Sequence, residues 1–141
     1  MSIRMKASFW SYLIALLLLA IFGSIYLTRP QFMPYHADAV GMAWQEVPQA
    51  FQVLIIALMK SLGGAMLATA LALVAMLLIP FRKGELWVKY VIPAVSLLYS
   101  IPALYVTLYV RASTPGEPPW IAVSAGIVLV IVGFVLSLTN K

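Results

Sequence analysis

The sequence predicts an all-α integral membrane protein, a bundle of four transmembrane helices with a long outer connection over 28–48. Three observations predict it. Of 141 residues, 64% are hydrophobic and only 9% are charged. Soluble domains carry about 25% charged residues, so a water-exposed fold of this length could not cover its apolar groups. Four apolar runs, 8–27, 57–80, 87–110 and 120–138, each reach or approach the roughly 20 residues that a helix needs to cross a hydrocarbon core. Finally, the basic residues gather at the ends of those runs, where they set topology and meet anionic lipid headgroups. The whole chain, 1–141, reads as one membrane domain.

The first run follows Arg4 and Lys6, as a signal peptide would. Its apolar stretch is longer than the roughly 7–15 residues of a signal h-region and has no small-residue cleavage site after it. It is expected to stay as a transmembrane helix. With Leu16, Leu17, Leu18 and Leu19 in a row, it is expected to face lipid.

The second run is overlong. About 20 residues counted back from Pro80 place its outer boundary near Ser61, so 49–59 would project beyond the membrane. Lys60 sits at this boundary, where its stem can carry the ammonium out to water; burial as a functional lysine is the rival reading. Gly64, Ala68 and Ala72 form a small row at four-residue spacing, with Ser61, Ala65 and Thr69 beside it. Such rows permit close helix packing, and they could instead line a path.

The turn at 81–86 is short, basic and carries Gly84, so it should join antiparallel neighbours. The third run carries Ser96, Ser100, Ala103 and Thr107 on one stripe, with Pro93 and Pro102 expected to kink it and free backbone carbonyls. The turn TPGEPP at 114–119 then opens the fourth run, in which Ala122, Gly126, Gly133 and Ser137 share a face. Trp10, Tyr12, Trp87 and Tyr90 at one interface, and Tyr26, Tyr105, Tyr109 and Trp120 at the other, fit aromatic belts.

Arg4, Lys6, Arg82, Lys83, Lys89 and Lys141 fall on one side of the four runs, whereas Arg29 and Arg111, with Lys60 at the boundary, fall on the other. The positive-inside rule therefore expects both termini in the cytoplasm. The long 28–48 connection would then face outward, with 37–44 as a short interfacial helix.

Several chemistries are excluded. The net charge of +5 is explained by interface residues, which argues against a nucleic-acid partner. No cysteine is present, so disulfides and thiolate metal sites are absent. Asp38, Glu46, Glu85 and Glu117 all lie in connections, leaving no intramembrane carboxylate of the kind that proton-coupled four-span multidrug exporters depend on. With His36 as the one histidine, neither a bis-histidine haem site nor an H-E-x-x-H zinc site can form. No cofactor and no catalytic residue is expected.

One constellation remains. Arg29, His36, Asp38, Trp44, Glu46, Lys60 and Arg111 are all expected on or near the outer surface and form the candidate outer-surface site. His36 and Asp38 could share a proton or a cation only in a non-helical turn. Alternatively, Asp38 caps a helix starting at Ala39, and Arg29 and Arg111 complement helix C-termini.

The hairpin ALMKSLGGAMLATALALVAMLLIPFRKGELWVKYVIPA, residues 57–94, resembles small bacterial four-span membrane proteins, broadly DoxX-like. Shared features are an early Gly-Gly pair, an Ala/Leu helix, a basic turn and a tryptophan opening the next helix. The resemblance implies a four-helix bundle in a bacterial cytoplasmic membrane and carries no functional residues with it. Two functions are expected on these grounds. One is a non-enzymatic accessory or interaction subunit, as a homo-oligomer or with a membrane protein partner. The alternative is a transporter or small-molecule-binding protein with an outer-side pocket.

Overall fold

In the computed structural model, which describes residues 2–138, the chain is all-helical with four helices long and apolar enough to span a membrane. These are α1 (Ile3–Thr28), α3 (Gln49–Met76), α4 (Val88–Ser113) and α5 (Trp120–Leu138). A short α2 (Pro34–Val40) and a 3₁₀ turn (Trp44–Glu46) occupy the long connection. The predicted basic residue Lys141 lies outside the described residues.

Ser2 caps α1 by accepting the Met5 amide at 3.3 Å. At its far end α3 continues through a widened π-type turn, Leu77–Phe81. This turn contains Pro80, which has no amide hydrogen and whose ring crowds the preceding turn. Gly84, at a φ of 81°, then takes the left-handed conformation that reverses the chain. α4 runs as one helix with Pro93 and Pro102 inside it.

The helices are not arranged as a simple meander. α1 packs between α3 and α5, and α4 packs on α5, whereas α3 and α4 meet chiefly through the π turn that links them. This corrects two expectations. The 81–86 turn joins neighbours only at its own end, and α1 is the centre of the bundle, with Leu16 2% exposed. An all-leucine stretch has no polar face to mark its outside, so the sequence could not show which side packs inward.

Close approach makes this centre. A Cβ on Gly63 would stand 2.6 Å from the Leu27 nitrogen and 2.7 Å from the Gly23 oxygen. The packing row of α3 is therefore Met59, Gly63, Met66, Ala70 and Leu73, all buried. The predicted row of Gly64, Ala68 and Ala72 is turned outward, and Gly64 faces open space. On the other side of α1, Ser8 donates to the Gly133 carbonyl at 2.6 Å, and Tyr12 lies over Gly133, where a Cβ would come within 3.0 Å of its ring.

The two halves of the bundle differ. The half near the N-terminus and the 81–86 turn, here the basic end, is solid. Tyr12, Leu73, Leu77, Phe81, Val88 and Ile92 are buried there together, with the Tyr12 and Phe81 rings edge to face at 5.9 Å. Toward the α2 end, α4 parts from α3 and the interior is hollow.

Candidate functional site

The hollow is a cavity of about 1130 Å³. It exceeds the roughly 300–1,000 Å³ of most small-molecule pockets. Leu16, Leu19 and Phe22 of α1 form its back wall, with Met59, Leu62 and Met66 of α3 on one flank. Ala122, Gly126 and Val130 of α5 close the rear, and Ser96, Tyr99, Ser100, Ala103 and Thr107 of α4 form the other flank. The predicted small-hydroxyl stripe of the third run thus lies entirely on the cavity wall. Leu58 and Leu62 on α3, and Leu98 and Val106 on α4, line the cavity and are also exposed. The opening therefore faces sideways, between α3 and α4.

The long connection covers the end of the cavity. Pro34 starts α2, and the Met33 amide donates to Nδ1 of His36 at 3.3 Å. Gly41, at a φ of 67°, ends it. α2 therefore begins and ends earlier than the expected 37–44, because proline presets the first helical turn and the histidine satisfies an orphan amide. Asp38 falls inside α2 and does not cap it. His36 and Asp38, two apart on a helix, point to different faces, which removes their shared site.

Three contacts fasten this lid. Gln52 of α3 donates to the carbonyls of Trp44 at 2.9 Å and Val47 at 3.0 Å. Phe32, Val47 and Met59 form a second buried cluster, with Trp44 edge-on to Phe32 at 4.9 Å. The 114–119 turn presses on α2 so closely that a Cβ on Gly116 would be 2.6 Å from the Tyr35 oxygen.

Of the seven predicted outer-surface residues, His36 lines the cavity. The others serve the lid and the helix ends. Lys60 donates to the Leu27 carbonyl at 3.0 Å, completing the α1 C-terminus where the dipole favours a cation. Arg29 Nε donates to the Phe32 carbonyl at 3.3 Å. Glu46 accepts the Ala43 amide at 2.8 Å. Arg111 pairs with Glu117 at 3.1 Å and lies 4.8 Å over the Trp120 ring. Asp38 is exposed, and Trp44 belongs to the lid cluster.

Tyr26, expected as an interface anchor, and Tyr35 also line the cavity. Their hydroxyls hydrogen-bond to each other beneath α2, and the His36 ring stacks edge-on to Tyr35 at 4.3 Å and to Tyr26 at 6.4 Å. Burial lowers the basicity of His36, so its imidazole is neutral at pH 7 with Nδ1 occupied as an acceptor and Nε2 left as a donor. Burial, with Tyr26 adjacent, holds the Tyr35 phenol well above its ordinary value. The polar atoms under the lid are thus uncharged. No Asp, Glu, Lys or Arg among the described residues lines the cavity, and none of the described His, Asp and Glu residues form a group able to hold a metal ion.

Fold and cavity together define a polytopic membrane protein with an internal, laterally open apolar chamber. No protein-family model, curated protein or solved structure matches the chain.

Proposed function

We propose that this protein binds a hydrophobic small molecule, a lipid or lipid-like compound, inside the membrane. The observation that carries the reading is the lidded cavity of about 1130 Å³ with its apolar walls. Dry packing is the rule in protein interiors, and a void this large inside a bilayer protein would be filled by hydrocarbon. Its length matches that of an acyl chain, and the lateral opening lets a second chain pass out into the bilayer. From Ala15 to Tyr26 on α1 it runs about 16 Å at the helical rise, close to the roughly 15 Å of one leaflet's hydrocarbon. A photoreactive side chain at Ala103 tests it: ultraviolet light in native membranes should yield adducts of lipid mass.

The same reading includes orientation. The basic end, with Arg4, Lys6, Arg82, Lys83 and Lys89, is cytoplasmic, and α2 lies on the opposite surface of a bacterial inner membrane. Because the chain has no cysteine, Lys83→Cys and Glu117→Cys variants can be labelled singly. An impermeant maleimide added to intact cells should label the second and not the first.

A second reading, an interaction subunit, is favoured by one observation. Ala68 and Ala72 of the expected small row, with Ala65 of the neighbouring one, lie on the exposed side of α3, free to receive another helix. Ala68→Leu should then abolish crosslinks between copies or to a partner while leaving the cavity occupied.

A further inference from the structure

We infer that the occupant of the cavity is an uncharged lipid carrying a carbonyl within its hydrocarbon, of the long-chain ester or ketone class, held there by the hydroxyls of Ser96 and Ser100. The inference rests on the lipid-binding reading above and specifies its ligand.

The first ground is a pair of orphan donors. Ser96, 8% exposed, and Ser100 both line the cavity, and both Oγ atoms are buried with no hydrogen-bond partner among the described residues. Serines and threonines in apolar helices ordinarily bond back to a carbonyl one turn earlier. Elsewhere this chain does so: Ser11 bonds to Ala7, Ser24 to Ala20 and Ser137 to Phe134. A buried hydroxyl left unpaired is costly, so two adjacent ones facing a cavity point to an acceptor that arrives with the ligand.

Depth supplies the second ground. Ser100 is the thirteenth residue of the 26-residue α4, which places the pair near mid-span. A phospholipid in its ordinary pose offers only methylenes at that depth, since its ester and phosphate groups stay at the interface. The acceptor must therefore tolerate the hydrocarbon core, as the carbonyl of an ester or ketone flanked by alkyl chains does.

The third ground is charge. No Asp, Glu, Lys or Arg among the described residues lines the cavity, and the cations nearest the lid bond outside it, Lys60 and Arg29 to backbone carbonyls and Arg111 to Glu117. A phosphate or carboxylate drawn into the cavity would lack a counter-ion and would be strongly disfavoured.

Competition binding to the full chain in detergent, with three probes, tests this. The probes are a wax ester with its carbonyl at mid-chain, the saturated hydrocarbon squalane, and phosphatidylglycerol. The wax ester should bind most tightly. In Ser96→Ala/Ser100→Ala its affinity should fall about fivefold, the worth of one to two modest hydrogen bonds, while squalane binding stays unchanged and certifies the fold. Ser100→Thr, which keeps a hydroxyl, should retain most of the affinity. Equal wax-ester affinity in the double variant, or a preference for phosphatidylglycerol, would overturn the ligand class while leaving lipid binding standing. Binding of none of the three would overturn both.

Discussion

Gly23 and Gly63 meet across the α1–α3 contact with no side chain between them: a Cβ on Gly63 would lie 2.7 Å from the Gly23 carbonyl oxygen. This contact makes α1 the hub of the bundle. Gly63→Ala should cost about 1–3 kcal/mol, because backbone on both sides leaves no flexible atom to yield. Gly64→Ala, with open space around its Cβ, should be neutral or stabilise by up to about 1 kcal/mol through helix propensity. Thermal unfolding of the two variants in the same detergent checks the contrast.

Across the α1–α5 seam Ser8 donates to the Gly133 carbonyl at 2.6 Å. Such bonds in membrane proteins contribute about 0.6 kcal/mol on average. Ser8→Ala should destabilise by about that amount in chemical unfolding, well below the cost of Gly63→Ala. A loss several times larger would mean that the seam, and not the glycine contact, sets the stability of the bundle.

The lid should loosen in acid. Burial lowers the His36 pKa below the roughly 6.5 of a free imidazole. The docked lid therefore binds its proton less readily than the undocked one, and docking is favoured by the full amount above pH 6.5. That contribution falls away as pH drops from about 6.5 toward the lowered folded value. Protonation also converts Nδ1 from acceptor to donor and breaks the cap on Met33. Amide hydrogen exchange across 34–40 should accelerate in that window, and His36→Gln should remove the pH dependence.

The four spans were legible because length and hydropathy are sufficient to identify a membrane helix. Rotation of each helix was not legible. In α1 and α3 nearly every position is apolar, so no polar face distinguishes lipid from interior. The choice between Gly63 and Gly64 then rested on packing that only the assembled bundle reveals. α4 was the exception: Ser96, Ser100, Ala103 and Thr107 mark one stripe, and that stripe lines the cavity. The charged residues at the α2 end bond mostly to the lid and helix ends. Lys60 completes the α1 C-terminus and Arg111 pairs with Glu117 of the 114–119 turn. Tyr26 resembled an interface anchor, and its pairing with Tyr35 depended on α2 folding back over α1. Gln52, which fastens the lid, gave no local signal beyond being a polar residue early in an apolar helix.

The central claim is that the cavity holds lipid, and filling it from within tests this most directly. Gly126 lines the cavity, and a Cβ there meets nothing within 4 Å, so Gly126→Trp places a large ring in the void without disturbing a helix contact. Native mass spectrometry of protein gently released from membranes should show a retained lipid on the wild type. The Gly126→Trp variant should lack it while folding as well or better. A wild type that carries no lipid, or a variant that keeps an equal load, would contradict the account.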